Sequence, residues 1–372
     1  MPLVIAATCA RAEVVERLLD YGVDVNGGND SRHTPLARAA ENGHAVNVML
    51  LLHHRGLRPD IKTRVFLDAC ATGRENIVAK FLDCGGRRFN VESRDLTRGG
   101  GERPLVVASM FGHMNIVHKL LDHGAAADQL AEDRESPLEV AAARGHHRLM
   151  RILIDHGAKV SPWLLIAAAR GHIHKGPNES LSSAVVIRGT AKAVELLLDH
   201  GVDIDYREST HGTALQAAAK QGNLDVIKVL LSRGADINLE GGYWGTALYA
   251  ASIAGHDPTV ETLIRAGADI NQLLPSYTLG YALQAASYHG HENTVKTLLK
   301  YKARANARGG RYGTALCAAA TAGHTKVIAL LLDSGADINA SVRKEIGTPL
   351  QSALRKGHTE VVELLRQRGA SG

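Results

Sequence analysis

Apolar residues recur along this chain at helical spacing, but only in short pieces. Val226, Ile227, Leu230 and Leu231 form one such stripe, and Gly234 stops it. Upstream of it lies a second piece, built around an apolar anchor seven residues before a Gly. Anchors of this kind are Leu3, Leu36, Phe66, Leu105, Leu138, Leu164, Leu215, Leu248, Leu283, Leu316 and Leu350. Three residues after each of the eleven anchors stands an Ala, and a small residue fixed at one helical position predicts close packing against another helix. Thr shortly before the anchor, as in Thr34-Pro35 and Thr348-Pro349, predicts a capped helix start with Pro in its first turn. The Gly after it suits a left-handed helix end, with Ala10 in that place in the first unit. Between the second helix and the next Thr, "ADIN" and a Gly-rich stretch suit a turn or hairpin better than a helix.

The pattern is therefore a repeat of two short helices and a finger. Residues 212–238 read "GTALQAAAKQGNLDVIKVLLSRGADIN", and 245–271 and 313–339 say nearly the same. Six of the ten anchor spacings are 33 to 35 residues; the others are 30 and 39 on either side of Phe66, and 26 and 51 on either side of Leu164. "SPLEVAAARGHHRLMRILIDHGA" (136–158) and "GTPLQSALRKGHTEVVELLRQRGA" (347–370) match the core pattern of the ankyrin repeat, which the whole chain resembles. The "GTALQAA" form of the later units is similar to long fungal arrays. The resemblance implies a mostly α fold: an ankyrin-type α-solenoid of about eleven helix-turn-helix units with β-hairpin fingers, spanning 1–372 as a single array. It also implies a concave binding face made by first helices and fingers.

Composition narrows the class. At 372 residues the chain is too long for one ordinary core, yet a repeat array removes that limit. Aromatics are 4%, low for a sandwich or barrel. No apolar run reaches bilayer length, and the start has no signal-peptide character. Cys9, Cys70, Cys84 and Cys317 are scattered, which fits reduced thiols of a cytoplasmic or nuclear protein. The net charge of +5 is spread along the chain, not gathered into a phosphate-binding face, so neither nucleic acid nor membrane is expected as a partner. A monomer is expected.

The ends and two interruptions depart from the pattern. The slot of Leu231 is apolar in ten units and becomes Arg366 in the eleventh, which predicts a polar cap over 347–370. The first unit is incomplete: it lacks a finger and a capping Thr, and its helix is expected to expose Leu3 and Ile5. That start is also what a recognition module would show if a longer form carried an effector domain upstream. Eighteen extra residues around 173–190 form either a tolerated loop or a partner-contacting one. In the long finger 85–104, Arg87, Arg88, Arg94, Arg98 and Arg103 are offset by Glu92, Asp95 and Glu102, giving either a solvated finger or a contact for an acidic partner.

Catalytic and metal constellations are not found. Of 19 His, eight occupy the repeat's "GH" slot and three a "DHG" slot, so a structural role in the turn is expected. "HIH" at 172–174 lacks the Cys or acidic companions of a zinc set, and "RGGGERP" lacks the Lys of a phosphate loop. No cofactor and no enzymatic activity are expected. Surface recognition remains. Tyr243, Trp244, Tyr249, Tyr277 and Tyr288 crowd into residues 243–288, and interfaces favour such side chains. Tyr288 lies at a step that, by the resemblance, faces the groove, and its equivalents are diverse: Glu41, Met110, Lys220, Ile253, Thr321 and Arg355. Tyr249 and Ile253 are four apart and share a helix face. These residues are the candidate partner-binding patch, with packing between fingers and helices as the alternative; Met110 and Phe111 form a second candidate.

Overall fold

The computed structural model of the protein describes residues 2–28, 33–83, 91–92, 103–128, 130, 135–174, 185–187, 190–341 and 347–371. Among these lie 22 α-helices, alternating as first and second helix of each repeat. The chain forms two compact units, 1–160 and 161–372.

Local chemistry sets the helix boundaries. Thr34, Ser136, Thr213, Thr246, Thr314 and Thr348 each accept a hydrogen bond from a backbone N–H in the first turn of the helix that follows. At Ser136–Glu139, Thr213–Gln216 and Thr348–Gln351 the bond is reciprocated, closing a capping box. Gly112, Gly222, Gly255, Gly323 and Gly357 end first helices in the left-handed region. Ala10, with φ 57°, takes that conformation without the glycine.

All eleven repeat alanines are buried, from Ala6 to Ala353. They lie where first helices of successive repeats meet: Ala214–Gln221 packs on Ala247–Ala254, which packs on Ala282–Tyr288, and that on Ala315–Ala322. Val226, Ile227 and Leu230 close the core from the second helix.

Several features differ from the sequence expectations. Leu3 is buried, at 2% exposure, and only Ile5 projects, at 64%, because the first helix packs directly on Pro35–Glu41. The short spacing before Phe66 arises because its first helix runs from Pro59 to Ala71, using residues that elsewhere form a finger. Three of the described fingers are tight loops closed by single antiparallel bridges, Glu208 to Gly212, Gly241 to Gly245 and Gly309 to Gly313, in place of hairpin ladders. The only strand pair among the described residues flanks the insertion, with Ile173 opposite Val186; most of 173–190 lies outside the described residues. So do Arg87, Arg88, Arg94 and Arg98, whereas Arg103 is buried and paired with Glu92 at 3.0 Å. Arg366 is exposed, as expected.

Candidate interaction surface

The recurrent histidines do bond, but to the preceding repeat and not to their own turn. Nε2 of His44, His113, His256, His291, His324 and His358 lies 2.9–3.1 Å from the carbonyls of Thr8, Ala71, Lys220, Ile253, Tyr288 and Thr321. Except for His44, where Ala10 takes that place, each ring covers the Gly that ends the preceding first helix. A Cβ on Gly255 would lie 2.5 Å from the His291 ring, and one on Gly290 2.6 Å from His324. His123, His156 and His200 do serve their own helices, bonding the carbonyl four residues back. Between fingers, Asn238, Asn271, Asn306 and Asn339 each accept the N–H of Asp269, Arg304, Asp337 and Ser371 through Oδ1. These bonds fix the step between repeats, and so the spacing of side chains along the first-helix face.

That face carries the candidate patch in residues 161–372. Tyr249, Leu274, Leu279 and Ala285 form a buried cluster, and Ile253, Tyr277, Tyr288 and Tyr312 pack against it, half-buried. Ile253 and Tyr288 thus pack against one and the same cluster. Tyr288 stacks on Tyr312 with ring centroids 4.8 Å apart. Lys220 Nζ sits 4.7 Å from the Trp244 ring centroid.

Other candidates fall in different places. Tyr249 is 3% exposed, so it floors the patch and does not present itself to a partner. The reason is its register: it occupies the slot of Gln216 and Gln284, whose Nε2 atoms reach into the following finger at Gly245 and Gly313. Burial pushes the Tyr249 hydroxyl up to about 12. Tyr277 is tied down as well, its Oη donating to the Gly242 carbonyl at 2.7 Å. Tyr243 is the most exposed of the set, at 70%. Met110 and Phe111 lie in the other unit, where Phe111 is exposed and Arg144 covers its ring at 5.7 Å.

Two features were not foreseen. Lys220, at the step that the resemblance turns toward the groove, is half-buried, and desolvation lowers its pKa. In residues 1–160, Ala37, Ala40, Glu41, Val65, Asp68, Ala69, Thr72 and Arg74 line a groove of about 260 Å³; the small residues at Ala37, Ala40 and Ala69 are the signal that could have revealed it. Among the described residues no three His, Cys, Asp or Glu are grouped to hold a metal ion. No described helix is long and apolar enough to cross a membrane. Cys70 and Cys317 are buried, and burial raises their thiol pKa values.

Comparison with known proteins agrees with this architecture. A family model described as ankyrin repeats (3 copies) matches residues 1–63, 66–162, 163–241, 181–274, 247–342 and 283–371. Rabankyrin-5 of Mus musculus and of Homo sapiens are similar: each is 28% identical over 36% of this chain. The match takes in only 14% of either relative's length. The repeats, the paired helices and the family model together show that this chain belongs to the ankyrin-repeat family.

Proposed function

We propose that the chain is a non-catalytic scaffold, a single run of eleven ankyrin repeats that binds a protein partner on the concave face formed by its first helices and fingers. One observation carries this: within a nearly invariant frame, the step before the helix-ending Gly varies freely, and at Lys220, Ile253 and Tyr288 it gathers an aromatic, half-buried strip. A frame held constant by packing with free variation at one accessible position is the arrangement a binding surface needs. Ile253 and Tyr288 are the central contacts, Trp244 and Tyr243 the wall, and Tyr249 and Tyr277 the support beneath.

The test is capture of partners from extract by the full chain, by Ile253→Ala and by Tyr288→Ala, identified by mass spectrometry, with melting curves recorded in parallel. Loss of specific captured proteins, worth about 2 kcal/mol at a central residue, with a smaller change in stability, is the expected result. Unchanged capture by both variants moves the contact to another surface. A second reading, a recognition module of a larger signalling or transcription co-regulator protein, draws on relatives in which the matching stretch is 14% of the length. Sequencing of full-length transcripts from the same locus decides it: coding sequence for a further domain in frame supports it, and its absence removes it.

A further inference from the structure

In residues 161–372 charge is sorted between the two helices of each repeat. The first helices Trp163–Arg170, Ala214–Gln221, Ala247–Ala254, Ala282–Tyr288, Ala315–Ala322 and Pro349–Lys356 contain no Asp or Glu. Their cations are Arg170, Lys220, Arg355 and Lys356. Each of the second helices that follow carries at least one carboxylate, among them Asp225, Glu261 and Glu292. The first helices of residues 1–160 are not sorted this way, for they hold Glu41, Asp60, Asp68 and Glu139. The cationic first-helix face is thus a property of one unit and not of the repeat frame.

Lys220 sits in the middle of the aromatic strip. Among the described residues it has no ion pair; its ammonium rests on Trp244, and its field reaches His289, which itself packs edge-on against Tyr288 at 5.3 Å. The nearby finger carboxylates are engaged elsewhere. Glu208 accepts bonds from Ser209, Thr210 and His211, and Glu240 accepts from Gln272 at 2.8 Å. A half-buried ammonium without a counter-charge is destabilised in the free protein and gains when a carboxylate arrives, because the local dielectric is low. Alongside it, Ile253, Tyr288 and Trp244 offer apolar area and ring faces.

Building on the surface reading above, we infer that this strip takes an acidic, apolar peptide segment: an Asp or Glu carboxylate on Lys220, with a neighbouring aliphatic or aromatic side chain against Ile253, Tyr288 and Trp244. A nucleic-acid backbone fits less well. Such a backbone needs a regular row of cations, whereas here the positions between Lys220 and Arg355 are Ile253, Tyr288 and Thr321, and Arg170 is already bonded to His211 at 2.7 Å.

The experiment measures fluorescence anisotropy of short dye-labelled peptides against the full chain. Three probes share Leu and Phe at the same positions and carry Glu, Gln or Lys at the others. The Glu probe is expected to bind about tenfold more tightly than the Gln probe, with the Lys probe weakest and rising salt narrowing the gap. Lys220→Met keeps an unbranched stem over Trp244 and should abolish most of the preference for Glu over Gln. Lys220→Glu should shift preference toward the Lys probe. Equal binding of Glu and Gln probes, a preference that survives Lys220→Met, no binding of any probe, or displacement of the Glu probe by a thymidine oligomer each overturns the inference. Ile253→Ala and Tyr288→Ala separate the two levels. If they weaken all three probes, the surface reading stands even where the acidic preference fails; if they leave all three unchanged, the surface itself is wrong.

Discussion

Gly255 and Gly234 both adopt positive φ, +72° and +88°, yet their surroundings differ. Around Gly234 a Cβ meets nothing within 4 Å, whereas on Gly255 it meets His291 Nδ1 at 2.5 Å. Gly234→Ala should therefore cost only the left-handed strain, about 1 kcal/mol. Gly255→Ala should cost about 1 kcal/mol more, because the His291 ring must leave its bond to the Ile253 carbonyl. Thermal unfolding of the two variants checks the difference. A cycle with His291→Ala checks the cause: once the ring is gone, adding Gly255→Ala should cost no more than Gly234→Ala does. Full additivity in that cycle would show that the His ring is not what excludes the side chain. The same bond matters for the candidate surface, since His291 and His324 hold the carbonyls of Ile253 and Tyr288 themselves.

First helices meet through their alanines, and this contact sets how closely neighbouring repeats approach. Ala251 and Ala319 are fully buried. Enlarging either to Leu should overpack the contact by about 1–3 kcal/mol, while Lys356→Leu, at an exposed position of the same kind of helix, should change stability by less than about 0.5 kcal/mol. Urea titration of the three variants distinguishes buried from exposed faces; equal losses would refute the assignment. The capping Thr and the helix-ending Gly were legible because each acts on its own helix, and the recurring Ala because a small residue fixed at one helical position signals close packing whichever helix supplies the partner. The partner of each "GH" histidine was not, because recurrence shows that a residue has a fixed role without saying which neighbour supplies the other half; it lies 36–42 residues upstream. The patch was half legible for a related reason. Spacing put Tyr249 and Ile253 on one helix face, but the next finger covers the turn holding Tyr249 and leaves Ile253 at its edge. The half-burial of Lys220 was not legible, because nothing in a helix pattern reveals that Trp244, from the following finger, lies over it.

Across the whole molecule, stability depends on pH through groups that the fold perturbs in a consistent direction. His146 is held below its ordinary 6.5, first by burial and then by Arg144, His113 and His147, with a bond to the Met110 backbone opposing them. His289 is lowered by partial burial and by His291, Lys220 and His324. Such histidines take a proton more readily unfolded than folded, so acid favours the unfolded chain from about pH 6.5 downward. Glu261, beside Arg265 and Tyr301, and Glu208, bonded by Thr210, His211 and Ser209, lie below the ordinary 4.5. Asp60, beside Arg58, lies below 3.8. Their contribution is complete above those ordinary values and disappears as pH falls through the folded ones. At the other extreme Tyr249, raised from 10.0 to about 12, contributes below pH 10 and loses that contribution as pH rises toward its folded value. The urea midpoint should therefore hold a plateau from near neutrality to mildly alkaline pH. It should decline in two acid stages, one beginning near 6.5 and one below 4.5, and in one alkaline stage that begins near 9.0 with the buried thiols Cys70 and Cys317 and continues above 10 with Tyr249. Replacing His146 and His289 together by Asn should lower the plateau through lost contacts yet flatten the first acid stage, leaving the second in place. A first stage that keeps its slope in that double variant would assign it to other histidines of the repeat.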